Sequence, residues 1–212
     1  MNEMKKSTTD FLSTIWDYIP RKFKFCFFSS FVIGILVHFF MISNKITNLD
    51  DIVCVPGVGV GPNLGRWFQI PVHNLFSPWS NPALNGIMTI LFLSIAACVI
   101  VSSLKIESIT GAVLIGIIIM SLPSTASNMY FMYLAPTFAL SILATTINVY
   151  ITMNYKFGWI FGAILQLFSM ACYQAYFGLA TSMFVLMCLL MLIDGEEIEV
   201  VVKICLIACH AE

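Results

Sequence analysis

Long apolar runs, separated by short polar segments, are the feature that most constrains the fold of this chain. A transmembrane helix needs about 20 apolar residues in a row to cross a hydrocarbon core of about 30 Å. Runs of this length, or slightly shorter, lie at residues 25–42, 83–104, 108–122, 134–153, 157–173 and 177–193, and a further run begins at residue 198. We therefore predict an all-α fold, a polytopic transmembrane helical bundle with about six spans.

The composition excludes the soluble classes of protein. Hydrophobic residues make up 59% of the chain and charged residues 10%, whereas a soluble globular domain carries about 25% charged residues. The lipid bilayer is therefore a predicted partner, and nothing in the composition indicates nucleic acid. The Cys and His residues lack the spacing of a zinc site. We predict no cofactor, and a divalent cation stays an open alternative.

The chain divides into an N-terminal segment, residues 1–24, and a membrane domain, residues 25–212, whose largest outer loop covers residues 43–82. In the N-terminal segment apolar side chains recur at helical spacing, with polar ones on the other face, which is typical of a helix lying in the membrane interface. The apolar positions are Phe11, Leu12, Ile15, Trp16 and Ile19. A simple anchor for the first span is the alternative interpretation.

The basic residues indicate the orientation, because Lys and Arg are enriched in cytoplasmic loops. Five of them precede the first span, and Lys105, Lys156 and Lys203 follow in alternate later loops. All of these segments lie on one side of the predicted bundle, which we assign to the cytoplasm, so the N-terminus is cytoplasmic. Lys45 and Arg66 fall on the opposite side, in the outer loop.

A polar island, residues 45–81, interrupts the apolar sequence and is the predicted working site. It carries the adjacent acids Asp50 and Asp51, and ionisable residues near a bilayer are costly enough to suggest a function. A carboxylate beside a second one, partly removed from water, is shifted towards the proton affinity of a general base. The alternative is a hydrated pair in the first turn of a helix that Asn48 caps.

Arg66 follows Gly65 and precedes Trp67 in the same loop. Its planar guanidinium suits a phosphate, and Gly65 removes a side chain that would block close approach. An arginine that reaches towards lipid headgroups is the competing explanation, and Trp67 either stacks on a sugar ring or lies in the interface. His73 could carry a proton or contact a phosphate, although a lone loop histidine more often does neither, and it forms no metal signature.

Two further outer turns each present Tyr and an amide. One covers residues 123–130, and the other comprises Tyr173, Gln174, Ala175 and Tyr176. Each follows one of the two shorter apolar runs. Their side chains either contact substrate or form an aromatic belt at the level of the lipid headgroups, and the sequence leaves both interpretations open.

The order of these features resembles the bacterial glucosyltransferase II family of O-antigen-modifying enzymes. The shared elements are one span, an outer loop with the acid pair at residues 48–52, the segment at residues 64–67, and paired spans with the turn at residues 173–177. That family is similar to the membrane glycosyltransferases of the GT-C type. The resemblance runs along nearly the whole chain but corresponds to the front half of the usual family length, so we expect a truncated form.

The resemblance implies transfer of glucose from undecaprenyl-phosphate glucose, a polyprenyl-phosphate sugar donor, to a hydroxyl of a surface glycan acceptor outside the bacterial inner membrane. It makes Asp50 or Asp51 the base that deprotonates the acceptor, and it makes Arg66 the ligand of the lipid phosphate. The other substrate contacts that we expect are Trp67, His73, Tyr173, Gln174 and Tyr176.

Two other interpretations stay open. A flippase or transporter subunit for lipid-linked sugars would use the outer loop as a gate. Transporters usually bind their substrates within the spans, however, and these spans are nearly free of ionisable residues. An inactive, truncated fragment would keep the fold without catalysis.

Overall fold

The computed structural model describes residues 14, 16–46, 48–49, 64–76, 80–196 and 201, and within these ranges it contains no strand. The helices are α1 Arg21–Ser43, α2 Gln69–Leu75, α3 Pro82–Ser103, α4 Ile109–Ser121, α5 Pro123–Tyr130, α6 Ala135–Asn154, α7 Gly158–Cys172 and α8 Phe177–Ile193, and a 3₁₀ turn, Gln174–Tyr176, precedes α8. The predicted all-α class is confirmed.

Among the residues that the structure describes, four helical stretches are long and apolar enough to cross a membrane: α1, α3, α6, and the 3₁₀ turn together with α8. α4 and α5 form a broken span with a bend of 46°, which would make a fifth. α7 is apolar but has 15 residues, which is too short for a full hydrocarbon core unless the bilayer thins. Each of the six predicted runs therefore contains a helix, and four or five of these helices reach the length of a span.

The break between α4 and α5 has a local cause. Leu122 has φ −63° and ψ 138°, an extended conformation that the following Pro123 favours because its ring clashes with a helical neighbour. The Thr125 hydroxyl donates to the Ile119 carbonyl oxygen at 2.7 Å, so one carbonyl group at the end of α4 keeps a partner. The polar turn at residues 123–130 is thus a short helix at an angle to the span before it.

α6 is the central helix of the bundle. α1 packs against α3 and α4, α3 packs against α6, and α6 packs most extensively against α7. Buried apolar side chains fill the middle of the bundle, namely Ile90, Leu93, Met120, Met129, Met132, Ala135 and Ala139. α6 also packs against the short helix α2, so it contacts the part of the chain that carries the candidate site.

Hydrogen-bonded polar side chains join α6 to α7. The hydroxyl oxygens of Thr145 and Ser169 lie 2.8 Å apart, Asn148 Nδ2 donates to Gln166 Oε1 at 3.0 Å, and the Thr152 hydroxyl donates to Asn148 Oδ1 at 3.1 Å. All five residues are buried. Such bonds hold helices together in lipid, which offers no hydrophobic driving force. They explain how a helix as short as α7 keeps its place.

Gly162 of α7 lies against this polar seam. A Cβ atom at Gly162 would contact Asn148 Oδ1 and Thr152 Oγ1, and these two oxygens are bonded to each other. Because neither can move without loss of that bond, we expect Gly162→Ala to lower the free energy of unfolding by about 1–3 kcal/mol, measured by thermal unfolding in detergent. Gly178→Ala is the control, since nothing lies within 4 Å of its Cβ position; equal losses would contradict the packing argument.

The two ends of the bundle differ in their number of Lys and Arg residues. At one end, named the basic end, Lys22 Nζ lies 3.0 Å from Glu107 Oε1, and the helix order brings Lys105 and Lys156 to the same end. At the other, named the loop end, lie the described residues of 44–49, 64–76, 122–134 and 172–177. The basic residues are therefore separated as predicted, and the assignment of the basic end to the cytoplasm stays a prediction.

The N-terminal segment is described only in part. Trp16 lies against α1, with its ring centre 5.8 Å from that of Phe28 and 4.7 Å from Lys24 Nζ. Phe11 and Ile15 fall outside the described residues, as does Leu12. The interfacial helix therefore stays a prediction.

Candidate functional site

Long-range hydrogen bonds hold the segment of residues 64–76 at the loop end. Gln174 Nε2 donates to the Leu64 carbonyl oxygen at 2.6 Å, and His73 Nδ1 lies 2.8 Å from the Tyr133 carbonyl oxygen. The short helix α2 packs against both α6 and α7. The predicted site residues of this segment and those of the 173–176 turn therefore share one end of the bundle.

Arg66 stacks on Tyr173, with the guanidinium carbon 4.6 Å from the centre of the ring. The turn before it contains Gly65, whose φ of +77° is a left-handed conformation that glycine adopts without strain. Arg66 Nε is buried without a hydrogen-bond partner, and the salt bridge found in the described part of the chain joins Lys22 to Glu107 instead. The guanidinium therefore keeps N–H donors for an anion or a hydroxyl group.

Tyr173 is the centre of an aromatic cluster. Its ring centre lies 4.8 Å from that of Phe138 and 5.5 Å from that of Tyr176. Asn128 Nδ2 donates to the Tyr176 hydroxyl at 3.1 Å, so the two predicted outer turns contact each other. Both tyrosines are half-buried. The geometry favours a role in packing the loop end and in supporting Arg66 over an exposed aromatic belt.

Trp67 presents a large exposed ring beside Arg66. It is 52% exposed, and its ring centre lies 5.6 Å from that of Phe68 and 6.1 Å from that of Phe168. The Phe68 N–H donates to the Ala171 carbonyl oxygen at 3.1 Å, which fixes the backbone next to the indole. About half of the indole is thus packed against the protein and half is exposed. This exposure suits both stacking on a sugar ring and a position in the membrane interface.

His73 has a hydrogen-bond partner at one ring nitrogen and none at the other. A carbonyl oxygen can only accept, so the contact with Tyr133 assigns the ring hydrogen to Nδ1, and in the neutral ring Nε2 is then an acceptor. The side chain is 6% exposed, and Nε2 is buried without a partner. His73 therefore combines a structural contact with an acceptor atom that is available to a ligand.

Asp50 and Asp51 lie outside the described residues, together with the stretch that follows them as far as residue 63. Described residues flank this stretch on both sides. Asn48 Nδ2 donates to the Tyr130 carbonyl oxygen at 3.0 Å, and Leu64 is bonded to the 173–176 turn. Both flanks are thus fixed at the loop end, and the role of the acid pair stays a prediction.

A comparison with protein families identifies the family of this chain. The family model described as Glucosyl transferase GtrII matches residues 39–211, a range that includes every candidate residue above. The chain belongs to the GtrII glucosyltransferase family. Searches of curated proteins and of solved structures returned no match. The resemblance drawn from the sequence is therefore confirmed at the level of the family.

Two residues of this GtrII-family chain were not identified from the sequence as site residues. Gln69 is 5% exposed and Thr137, in the first turn of α6, is 0% exposed. Gln69 Nε2 and Thr137 Oγ1 have no hydrogen-bond partner, and leaving a buried polar group unpaired costs about 1–3 kcal/mol. The spacing of Gln69 and His73 could have indicated a shared helix face; Thr137 gives no comparable signal.

The described part of this GtrII-family chain contains no group of three or more His, Cys, Asp and Glu side chains that could hold a metal ion. The side chains gathered near Arg66 are instead an imidazole, an amide, a hydroxyl and aromatic rings. Such a set binds hydroxyl groups, and the guanidinium of Arg66 binds anions. The predicted lack of a cofactor is untested.

Proposed function

We propose that this GtrII-family chain transfers a glucosyl group from undecaprenyl-phosphate glucose to a hydroxyl group of a surface glycan. The observation that carries the proposal is Arg66, a cation at the loop end that is stacked on Tyr173 and has a buried, unpartnered Nε. A guanidinium is well suited to a phosphate. A donor with a polyprenyl chain in the bilayer would present its phosphate at the end of the bundle, where Arg66 lies.

The reaction needs a base and a stabilised leaving group. The acceptor hydroxyl gives its proton to Asp50 or Asp51, its oxygen bonds to the anomeric carbon, and the bond from that carbon to the phosphate oxygen breaks. The electron pair leaves with undecaprenyl phosphate, whose charge Arg66 stabilises. Asn48 and Leu64, which flank the acid pair in the sequence, are both hydrogen-bonded at the loop end.

The other site residues have two kinds of role in this proposal. Trp67 stacks on a sugar ring, and Tyr173, Gln174 and Tyr176 position the segment that carries Arg66. The proposal includes no cofactor, because the single positive charge of Arg66 matches the single negative charge of the donor phosphodiester. The basic end faces the cytoplasm, as the excess of Lys and Arg in cytoplasmic segments indicates, so the loop end lies outside the inner membrane.

Gln174 is the positioning residue with the clearest single contact, its hydrogen bond to the Leu64 carbonyl oxygen. We expect Gln174→Leu to lower the rate of glucosyl transfer by roughly 10–100-fold, because a small misplacement of a substrate ligand is costly. The side chain is exposed, so the thermal midpoint of unfolding should change little. Asn74→Leu, which removes an exposed amide from the same segment, is the control, and an equal loss of rate there would refute the positioning role.

The proposal is tested by glucosyl transfer in proteoliposomes. The purified chain is given radiolabelled undecaprenyl-phosphate glucose or radiolabelled UDP-glucose, together with a purified surface glycan. We expect label in the glycan from the lipid donor and none from the nucleotide sugar. Movement of the lipid donor across the bilayer without labelled glycan would instead support the flippase alternative.

A further inference from the structure

Most of the buried polar atoms without partners among the described residues belong to the segment of residues 64–76 and to the first turn of α6. Five such side-chain atoms occur among the described residues, and four of them belong to Arg66, Gln69, His73 and Thr137. The fifth, Gln166 Nε2, lies in the polar seam between α6 and α7. Native proteins rarely leave buried polar atoms unpaired, so a group of them indicates a ligand or ordered water.

Three of these side chains belong to two helices that pack against each other, α2 and the first turn of α6. Gln69 and His73 are one helical turn apart and both buried, so they occupy one face of α2. His73 is bonded to the carbonyl group of Tyr133, and Thr137 follows Tyr133 by one turn of chain. α2 also packs against α6. From the hydrogen bond and the helix contact we infer that Gln69, His73 and Thr137 lie close together.

The three side chains differ in what they offer a ligand. Gln69 Nε2 can only donate, His73 Nε2 in the neutral ring can only accept, and the Thr137 hydroxyl can do both. A phosphate or carboxylate would have no hydrogen to give to His73, and a metal ion would find too few ligands. A hydroxyl group both donates and accepts, and a sugar ring carries several hydroxyl groups at adjacent positions.

We propose that Gln69, His73 and Thr137 form a subsite that binds the hydroxyl groups of a pyranose ring next to Arg66. The proposal rests on the proposed function, in which Arg66 binds the phosphate of a lipid-linked sugar. The pyranose ring in this subsite belongs either to the glucosyl group of the donor or to a sugar of the acceptor glycan, and both carry the same kind of hydroxyl groups. In both cases Gln69 and Thr137 are binding residues that determine preference for a sugar.

The test compares two lipids that differ by the sugar alone. Native mass spectrometry of the full chain gives the Kd of undecaprenyl-phosphate glucose and that of undecaprenyl phosphate. If the donor sugar occupies the subsite, Gln69→Leu and Thr137→Val should each reduce the preference for the glucosylated lipid by about tenfold and leave the Kd of undecaprenyl phosphate unchanged. Thr137→Ser keeps the hydroxyl group and should keep the preference. Because Thr137→Val is nearly isosteric, the Ser and Val pair carries the test even if Gln69→Leu fails to fold.

Thr146→Val is the matched control, because Thr146 is a buried threonine of the same helix whose hydroxyl donates to the Leu143 carbonyl oxygen at 2.9 Å. It should leave the preference intact. A second supporting result is a Thr137→Val variant that keeps its lipid preference and shows a raised KM for the acceptor. That result would assign the subsite to the acceptor sugar. Folded variants that change neither the lipid preference nor the KM for the acceptor would overturn the proposal. So would variants that weaken the binding of both lipids equally.

The same experiment separates the subsite from the proposed function. Transfer by the unaltered chain tests catalysis, and the difference in Kd between the two lipids tests the subsite. A chain that binds the glucosylated lipid with the expected preference but transfers nothing would contradict the proposed function and support the subsite. A chain that transfers glucose, but keeps its lipid preference and its KM for the acceptor after Gln69→Leu and Thr137→Val, would support the proposed function and contradict the subsite.

Discussion

Glucosyl transfer is expected to fall by about 10²–10⁴-fold in one of the two variants Asp50→Asn and Asp51→Asn. An amide of the same shape cannot take the proton of the acceptor hydroxyl, so the chemical step slows. Adjacent side chains diverge in a helix or a strand, and for this reason the second substitution should have the smaller effect. The measurement is the rate of transfer at saturating donor in proteoliposomes.

Binding provides the control for the acid pair. The variant with the large loss should bind undecaprenyl-phosphate glucose with an unchanged Kd, because the base acts on the acceptor rather than on the donor. If both variants retain full transfer, the general base is not in this pair. If the loss of rate is matched by an equal loss of donor affinity, the acid has a binding role instead.

Arg66→Met should reduce glucosyl transfer by about 10²–10³-fold, since it removes the charge that stabilises the leaving phosphate. Arg66→Lys should recover only part of the activity. Lysine restores a positive charge, but it lacks the planar fork and the stack on Tyr173 that orient the guanidinium. The decisive readout is the Kd of undecaprenyl phosphate together with the rate, because a phosphate ligand should affect both.

Lys156→Met is the control for the charge of Arg66. Lys156 is exposed at the basic end of the bundle, so its loss changes the net charge equally without touching the loop end. Transfer by this variant should match that of the unaltered chain. Equal affinity for undecaprenyl phosphate in the Arg66→Met variant and the unaltered chain would support the alternative in which Arg66 contacts lipid headgroups.

The helices were predictable from the sequence because the thickness of the bilayer sets their length. The apolar run at residues 83–104, for example, forms the helix Pro82–Ser103. The first helix begins at Arg21 rather than at residue 25, since the Pro20 carbonyl oxygen at its N-cap accepts hydrogen bonds from the N–H groups of Phe23 and Lys24. The helical form of residues 123–130 was not predicted, because a proline that ends one helix can also occupy the first turn of the next.

The site was predictable only in its charged and aromatic members. Arg66 and His73 stand out in an apolar chain, but their surroundings depend on contacts between residues far apart in sequence. The bond from His73 to Tyr133 spans 60 positions, and that from Gln174 to Leu64 spans 110. Buried amides and hydroxyls such as Gln69 and Thr137 resemble the polar residues that merely join helices, so only the structure separates the two groups.

Photocrosslinking tests the central claim, that the loop end binds a lipid-phosphate-linked sugar, most directly. An undecaprenyl-phosphate glucose analogue with a diazirine beside the phosphate is bound to the full chain, irradiated and mapped by mass spectrometry. We predict label in residues 64–76 or 173–176, and competition by unlabelled donor. The contradictory result is label confined to the α6–α7 seam, or to the cavity of about 310 Å³ at the basic end that Lys105, Asn154 and Asp194 help to line.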